Sequence, residues 1–207
     1  MPVILHHLEL SRSERIIWLL EELNAPYEIK RYKRDPQVRL APPELAEKHR
    51  LGKAPLLELE DGRVLAETGA IAQYLLDTFD PDNALHPAPD APERLKFLEW
   101  MHASEGAVFL PFLMSTYCEA TGLKDSLLDQ FMEGERAKAF AHIEAHLKDN
   151  DYFAGEQFSA ADCLMGFQLD AIAKRGGVKD GSALKAWLDR VHDRDAYKAM
   201  RKVTDAD

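Results

Sequence analysis

Leu51-Gly52-Lys53-Ala54-Pro55-Leu56-Leu57 places a proline directly ahead of an apolar pair, and the residues after it read as a β-hairpin. The hairpin spans Leu56 to Leu65 and turns at Glu60-Asp61-Gly62-Arg63, because Asp-Gly supplies the positive φ angles of a tight turn. Proline is tolerated at a strand start, and the residue before it keeps its backbone free to pair with an extended peptide by strand addition. The plainer alternative is a trans-proline turn, since only about 5–6% of X-Pro bonds are cis. Upstream, Val3 to Leu8 reads as a strand. Ile16, Leu19, Leu20 and Leu23 fall at helical spacing until Asn24-Ala25-Pro26 ends the helix. Tyr27 to Tyr32 alternates as a second strand, with Tyr27, Ile29 and the stem of Arg31 on one face. Downstream, Thr68 opens a helix carrying Ile71, Tyr74, Leu75 and Phe79 on one side. The order is β-α-β, an irregular stretch around 35–52, then β-β-α.

Four prolines fall within Phe79-Asp80-Pro81-Asp82-Asn83-Ala84-Leu85-His86-Pro87-Ala88-Pro89-Asp90-Ala91-Pro92, a density that stops a helix and stiffens a connection. This divides the chain into residues 1–80, a linker at 81–92 and a helical part at 93–207. Leu95, Leu98, Met101 and Ala103 begin a long helix there. The 207 residues are 46% hydrophobic and 30% charged with 2 Cys, which excludes disordered, collagen-like and disulfide-stapled classes. Cys118 and Cys163 read as reduced core residues. The net charge of −10 opposes a nucleic-acid partner, and no apolar run approaches the roughly 20 residues of a membrane helix. Met1-Pro2-Val3-Ile4-Leu5 lacks the basic start of a signal peptide, so the expected location is the cytoplasm.

Three segments could carry chemistry. In Leu65-Ala66-Glu67-Thr68-Gly69-Ala70-Ile71, a helix N-terminus offers N–H groups and partial positive charge to a carboxylate, while Glu67 could accept from a ligand ammonium. Thr68 could equally serve only as an N-cap. In Ser11-Arg12-Ser13-Glu14-Arg15, Ser11 and Glu14 fit a capping box, and a hydroxyl has capacity left to donate to a bound anion. His142 and His146 are spaced i, i+4, but no third ligand is suggested, so they read as a solvated helix face without metal. Gly176-Gly177-Val178-Lys179-Asp180-Gly181 lacks dinucleotide-site spacing. His6 and His7 alternate along a strand, so at most one can face a ligand.

Taken together, the S-R-S-x-R opening, the L-G-K-A-P turn, the E-T pair, the proline-rich linker and Phe158-Ser159-Ala160-Ala161-Asp162 resemble the cytosolic glutathione S-transferase family, in particular its theta-like and bacterial or fungal serine-type members. The last segment looks like the family's buried helix-capping motif, a folding device. The resemblance implies an α+β two-domain protein: a thioredoxin-like N-terminal domain ordered β-α-β-α-β-β-α and an all-α C-terminal bundle. It implies glutathione as co-substrate, no other cofactor, a small hydrophobic electrophile as acceptor, and a homodimer. In the family the proline matching Pro55 is cis, and Ala54 presents its backbone to the cysteinyl part of glutathione. Lys53 would meet the glycyl carboxylate, with Arg39 or His49 as helpers, and Glu67 and Thr68 would hold the γ-glutamyl end.

A free thiol has a pKa of about 8.5, so little is thiolate at neutral pH. By resemblance, Ser11 is the thiolate's hydrogen-bond donor and Arg12 its electrostatic helper, with Ser11, Ser13 and Arg12 all open as the activating group. Trp100, Glu105, Phe109, Phe112 and Tyr117 lie along the first long C-terminal helix and face either the acceptor pocket or the core. The implied function is conjugation of glutathione to electrophiles in detoxification. The alternatives are a glutathione-dependent peroxidase or disulfide reductase on the same site, or a non-catalytic glutathione-binding carrier or regulator. Disulfide-reductase members usually carry a cysteine in the first loop, and this chain has none there.

Overall fold

The computed structural model describes residues 2–205. Among them, β1 (Val3–Leu8), β2 (Tyr27–Tyr32), β3 (Leu56–Glu58) and β4 (Val64–Leu65) form one sheet in the order β2-β1-β3-β4. β1 runs parallel to β2 and antiparallel to β3, and β3 pairs antiparallel with β4. The parallel pair is joined through α1 (Ser13–Glu22), and α3 (Thr68–Phe79) follows the hairpin. In the turn only Gly62 takes positive φ, at 82°, while the Asp61 carboxylate accepts from the Arg63 N–H at 3.0 Å. The stretch expected to be irregular contains a short helix, α2 (Glu44–Lys48). The resulting β-α-β-α-β-β-α unit is thioredoxin-like.

β1 is interior because it is covered on both faces. Leu8, Tyr32, Leu45, Ala54 and Leu56 form a cluster beneath α2. Along β2 the alternation holds for Tyr27 and Ile29, half-buried beside exposed Glu28 and Lys30, and breaks at the strand's end, where Arg31 is exposed and Tyr32 is buried on the face under α2. His6, on that same face, is fully buried, its Nδ1 2.8 Å from the Tyr32 hydroxyl and its Nε2 3.0 Å from Glu58. The Lys48 ammonium donates to the same Glu58 oxygen at 2.8 Å, which ties α2 to the sheet. Burial holds His6 below its usual pKa against the opposing pull of Glu58. His7 points to the other face, toward α1, and is also fully buried. Neither histidine opens to a ligand, because both flanks of β1 are roofed.

The chain forms two compact units, Met1–His86 with Val191–Asp207, and Pro87–Arg190. The end of the stretch expected as an all-helical C-terminal domain, 93–207, groups with the first unit. α9 (Asp195–Thr204) packs on α1 through its buried Tyr197 and Met200. Trp18 meets the Tyr197 ring edge-on at 5.0 Å, and Arg201 reaches Glu14 at 3.2 Å. Arg194 grips Glu22 with Nε and Nη2, each at 2.6 Å, and Trp18 Nε1 donates to the same carboxylate. Two parallel charge-assisted bonds to a buried carboxylate make Arg194→Ala cost about 1.5–3 kcal/mol, expected as an earlier urea midpoint with an unchanged slope.

In the second unit the expected long helix is broken. α4 (Arg94–Ala103) ends in a turn over 104–108 before α5 (Phe109–Ala120) begins. The Ser104 hydroxyl donates to the Met101 carbonyl at 2.7 Å, offering the backbone a local alternative to helix. α6 (Leu127–Asp149), α7 (Ala160–Lys174) and α8 (Ala183–His192) follow. The core gathers Phe97, Trp100, Ile143, Phe153, Leu164 and Trp187. His142 is exposed, as a solvated helix face requires, while His146 is half-buried; both rings pack on Trp100, each at 4.8 Å, and burial lowers the His146 pKa. No group of three or more His, Cys, Asp or Glu suited to a metal occurs among the described residues. Cys118 and Cys163 are buried and not joined in a disulfide, and no described helix is long and apolar enough to cross a membrane. Ser159 and Asp162 form the expected capping box at the start of α7.

Candidate functional site

Three chain segments of the first unit meet at one cleft. The first leaves β1 through Glu9, Leu10 and Ser11 and enters α1. Arg34 fixes this loop by donating to the carbonyls of Glu9 and Leu10 at 3.1 and 3.0 Å. α1 begins at Ser13, with Arg12 as its N-cap and no capping side-chain bond there. The Ser11 hydroxyl oxygen instead accepts from the Ser13 N–H at 3.3 Å and lies 2.6 Å from the Ser13 hydroxyl. The helix therefore starts one residue later than a capping box from Ser11 requires.

The second segment leaves α2 through His49 and turns at Gly52, where φ is +57° and an added Cβ would meet the Ala46 Cβ at 3.4 Å. Glycine is required here because an L side chain is strained at that φ and close to α2. The chain returns through Lys53 to Ala54–Pro55, whose peptide bond is cis, against the trans alternative. Sheet pairing of β3 with β1 starts at Leu56, leaving the Ala54 backbone outside the ladder. The third segment is Ala66, Glu67 and Thr68. Thr68 is the first residue of α3, and the N-cap is Glu67, with φ 73° and ψ 119° and no capping side-chain bond. A glutamate in that backbone region costs about 1–3 kcal/mol. Such strain, held in place by the surrounding fold, brings Glu67 to the cleft beside a helix N-terminus.

Arg12, His49, Leu51, Lys53, Ala54, Pro55, Leu56, Ala66, Glu67 and Thr68 line this cleft, which opens to solvent. Seven of the residues expected to bind a ligand are thereby brought together: Arg12, His49, Lys53, Ala54, Pro55, Glu67 and Thr68. Two cations and a helix N-terminus suit carboxylates, and Glu67 suits an ammonium, so the lining fits a small zwitterionic peptide. Leu51 and Ala66 also line it, although apolar residues at a loop and at a strand end gave no chemical signal. Ser11 is not part of the lining; it lies one residue before Arg12 and is buried. Arg39 is also elsewhere, on an exposed loop with its guanidinium 4.0 Å from Glu9.

The residues expected on an acceptor wall separate within the second unit. Trp100 is buried in the core between His142, His146 and Phe153. Glu105 sits in the turn between α4 and α5. Phe109 packs near Phe167 at 6.4 Å, Phe112 carries the Arg136 guanidinium at 5.8 Å, and Tyr117 is exposed. They do not lie along one helix, because the chain turns at 104–108.

Family comparisons agree with this arrangement. Residues 1–77 match the family model described as "Glutathione S-transferase, N-terminal domain" and residues 107–195 the one described as "Glutathione S-transferase, C-terminal domain". The chain is 36% identical to glutathione S-transferase 3 of Schizosaccharomyces pombe, covering 98% of this chain and 88% of the relative. It is 33% identical to glutathione S-transferase 1 of Saccharomyces cerevisiae, over 98% and 95%. The crystal structure of a glutathione S-transferase from Actinobacillus pleuropneumoniae superposes with a TM-score of 0.83 at 31% identity, covering 98% of this chain and 93% of that one.

Proposed function

The chain belongs to the glutathione S-transferase family, and from that premise we propose that the cleft binds glutathione and that Ser11 and Arg12 activate its thiol for attack on a small hydrophobic electrophile. The family's function, glutathione conjugation, is an enzymatic one. The observation that carries the site assignment is the convergence of Lys53, the Ala54 backbone and the Glu67–Thr68 helix start on one cleft. Glutathione has two carboxylates, one ammonium and a thiol between them, a charge order that this lining complements. Lys53 takes the glycyl carboxylate, Ala54 pairs with the cysteinyl backbone, and Glu67 and Thr68 hold the γ-glutamyl end.

A hydroxyl donor, the start of α1 and the Arg12 guanidinium favour the thiolate over the thiol. A shift of about 2 pKa units corresponds to roughly 2.7 kcal/mol of preferential thiolate binding. The sulfur then forms a bond to an electrophilic carbon, and the leaving group departs with its electron pair. The same reading includes a homodimer in the cytoplasm, supported by family kinship.

Calorimetric titration with glutathione tests the binding half, and conjugation of an aryl halide, beside assays with an organic hydroperoxide and a mixed disulfide, tests the chemistry. Lys53→Ala is expected to raise the KM for glutathione about tenfold with kcat nearly unchanged, because it removes a contact made equally in ground and transition states. Absence of binding heat with the wild-type protein would overturn the reading.

A further inference from the structure

Behind Ser11 lies an ordered chain of buried groups that the cleft itself does not contain. The Ser11 hydroxyl is 2.6 Å from the Ser13 hydroxyl, and the Ser13 hydroxyl is 2.7 Å from His7 Nδ1. Ser13 and His7 are fully buried. Two weaker contacts lie beside it: the Ser13 N–H donates to Ser11 Oγ at 3.3 Å, and the Leu8 carbonyl lies 3.3 Å from Ser13 Oγ.

Hydrogen bookkeeping decides what this chain can do. Each hydroxyl has one hydrogen and two lone pairs. If Ser13 donates to His7 Nδ1, Ser11 must donate inward to Ser13, and its only hydrogen is spent there. If His7 carries a hydrogen on Nδ1 and donates it to Ser13, the Ser13 hydrogen is available for Ser11. Both Ser11 lone pairs then accept, one from the Ser13 hydroxyl and one from the Ser13 N–H. The Ser11 hydrogen is left to point outward. The short contact to Ser11, against the long one to Leu8, marks Ser11 as the stronger partner for the Ser13 hydrogen.

We propose that His7 and Ser13 are positioning residues that orient the hydrogen-bond chain His7 → Ser13 → Ser11, so that Ser11 presents its hydroxyl hydrogen to the glutathione sulfur. This rests on the assignment of Ser11 as thiolate donor made above. His7 and Ser13 touch no substrate; they act by setting the direction of a hydrogen bond and by polarising the donor, since successive hydrogen bonds strengthen one another in a low-dielectric interior.

The test measures the pKa of enzyme-bound glutathione from the ultraviolet absorbance of the thiolate, together with the pH profile of kcat/KM. Ser13→Ala and His7→Leu are expected to raise the bound-thiol pKa by about 1 unit, lowering the thiolate fraction about tenfold on the acid side, with the glutathione KM within about twofold of wild type. His7→Asn, whose amide N–H can stand near the position of Nδ1, is expected to restore most of the shift. Ser13→Ala added to Ser11→Ala is expected to change nothing further, because the chain acts through Ser11 alone. A bound-thiol pKa that rises in Ser11→Ala but stays at the wild-type value in Ser13→Ala overturns the chain and leaves Ser11 in place. A pKa unmoved in Ser11→Ala overturns the donor assignment, and the chain with it. Should His7→Leu fail to fold, Ser13→Ala, which removes a single oxygen atom, decides the question with the same readout.

Discussion

Ser11→Ala is expected to lower turnover about 100-fold and to raise the pKa of bound glutathione by about 2 units, with glutathione still bound. The argument is one of differential binding. A hydrogen bond that forms to the thiolate and hardly to the thiol stabilises the reactive ionised state, so its loss appears in kcat and in the acid limb of the pH profile. Glutathione affinity is carried mostly by contacts elsewhere in the cleft, at Lys53, Ala54, Glu67 and Thr68. Arg12 lines the cleft while Ser11, the buried residue before it in the chain, is not part of the lining, so the pair must be separated by experiment. Arg12→Gln removes a full charge, whose effect is screened by salt, whereas a short-range hydrogen bond is not. A thiol pKa shift that vanishes in high salt in the wild type would assign the activation to Arg12; one that persists in salt and disappears in Ser11→Ala assigns it to Ser11. An unchanged thiol pKa in Ser11→Ala would sink the serine's role.

The parts of the fold that were legible in the sequence are those fixed by local chemistry. Asp61-Gly62 marks its hairpin, Asn24-Ala25-Pro26 ends α1, and Ser159 with Asp162 announces α7. At the site, the residue types of Glu67–Thr68 marked a helix start, whereas the cis bond at Ala54–Pro55 came only from the family resemblance, base rates alone favouring trans. What escaped depended on distant chain. The burial of Tyr32 was not legible because α2 has only five residues, too few to display a helical period, yet it covers that ring. The attachment of α9 to the first unit turns on Arg194 finding Glu22 across 172 residues, and no spacing rule joins such a pair. Trp100 and Tyr117 were equal candidates for a pocket wall because an apolar ring does not state what it faces; one is core and the other exposed. Glu67 was expected near a ligand, but its positive φ was invisible, since only glycine advertises that conformation in a sequence.

Asp162→Ala is expected to destabilise the folded protein by about 3 kcal/mol or more, the largest effect on stability among these substitutions. The carboxylate is fully buried and gathers donors from three elements. Oδ1 accepts from the Phe153 N–H at 3.1 Å and from Trp187 Nε1 at 2.8 Å, while Oδ2 accepts from the Ser159 N–H at 2.9 Å and its hydroxyl at 3.1 Å. Truncation leaves three buried N–H groups without this acceptor, each worth about 1–3 kcal/mol. Asp162→Asn keeps an acceptor for Phe153 and Trp187 but turns an amide N–H toward the Ser159 N–H, so it is expected to cost about 1–3 kcal/mol. The two variants also differ from wild type in pH dependence. Burial pushes the Asp162 carboxyl up to about 6 against the pull of its four donors. The folded protein therefore holds this proton more tightly than the unfolded chain between about pH 4 and 6, and stability from this group declines as pH rises through that window. Above about pH 6 the contribution levels off. Urea midpoints measured from pH 4.5 to 7.5 should show this decline in the wild type and lose it in Asp162→Asn; parallel profiles for the two proteins would refute the raised carboxyl pKa.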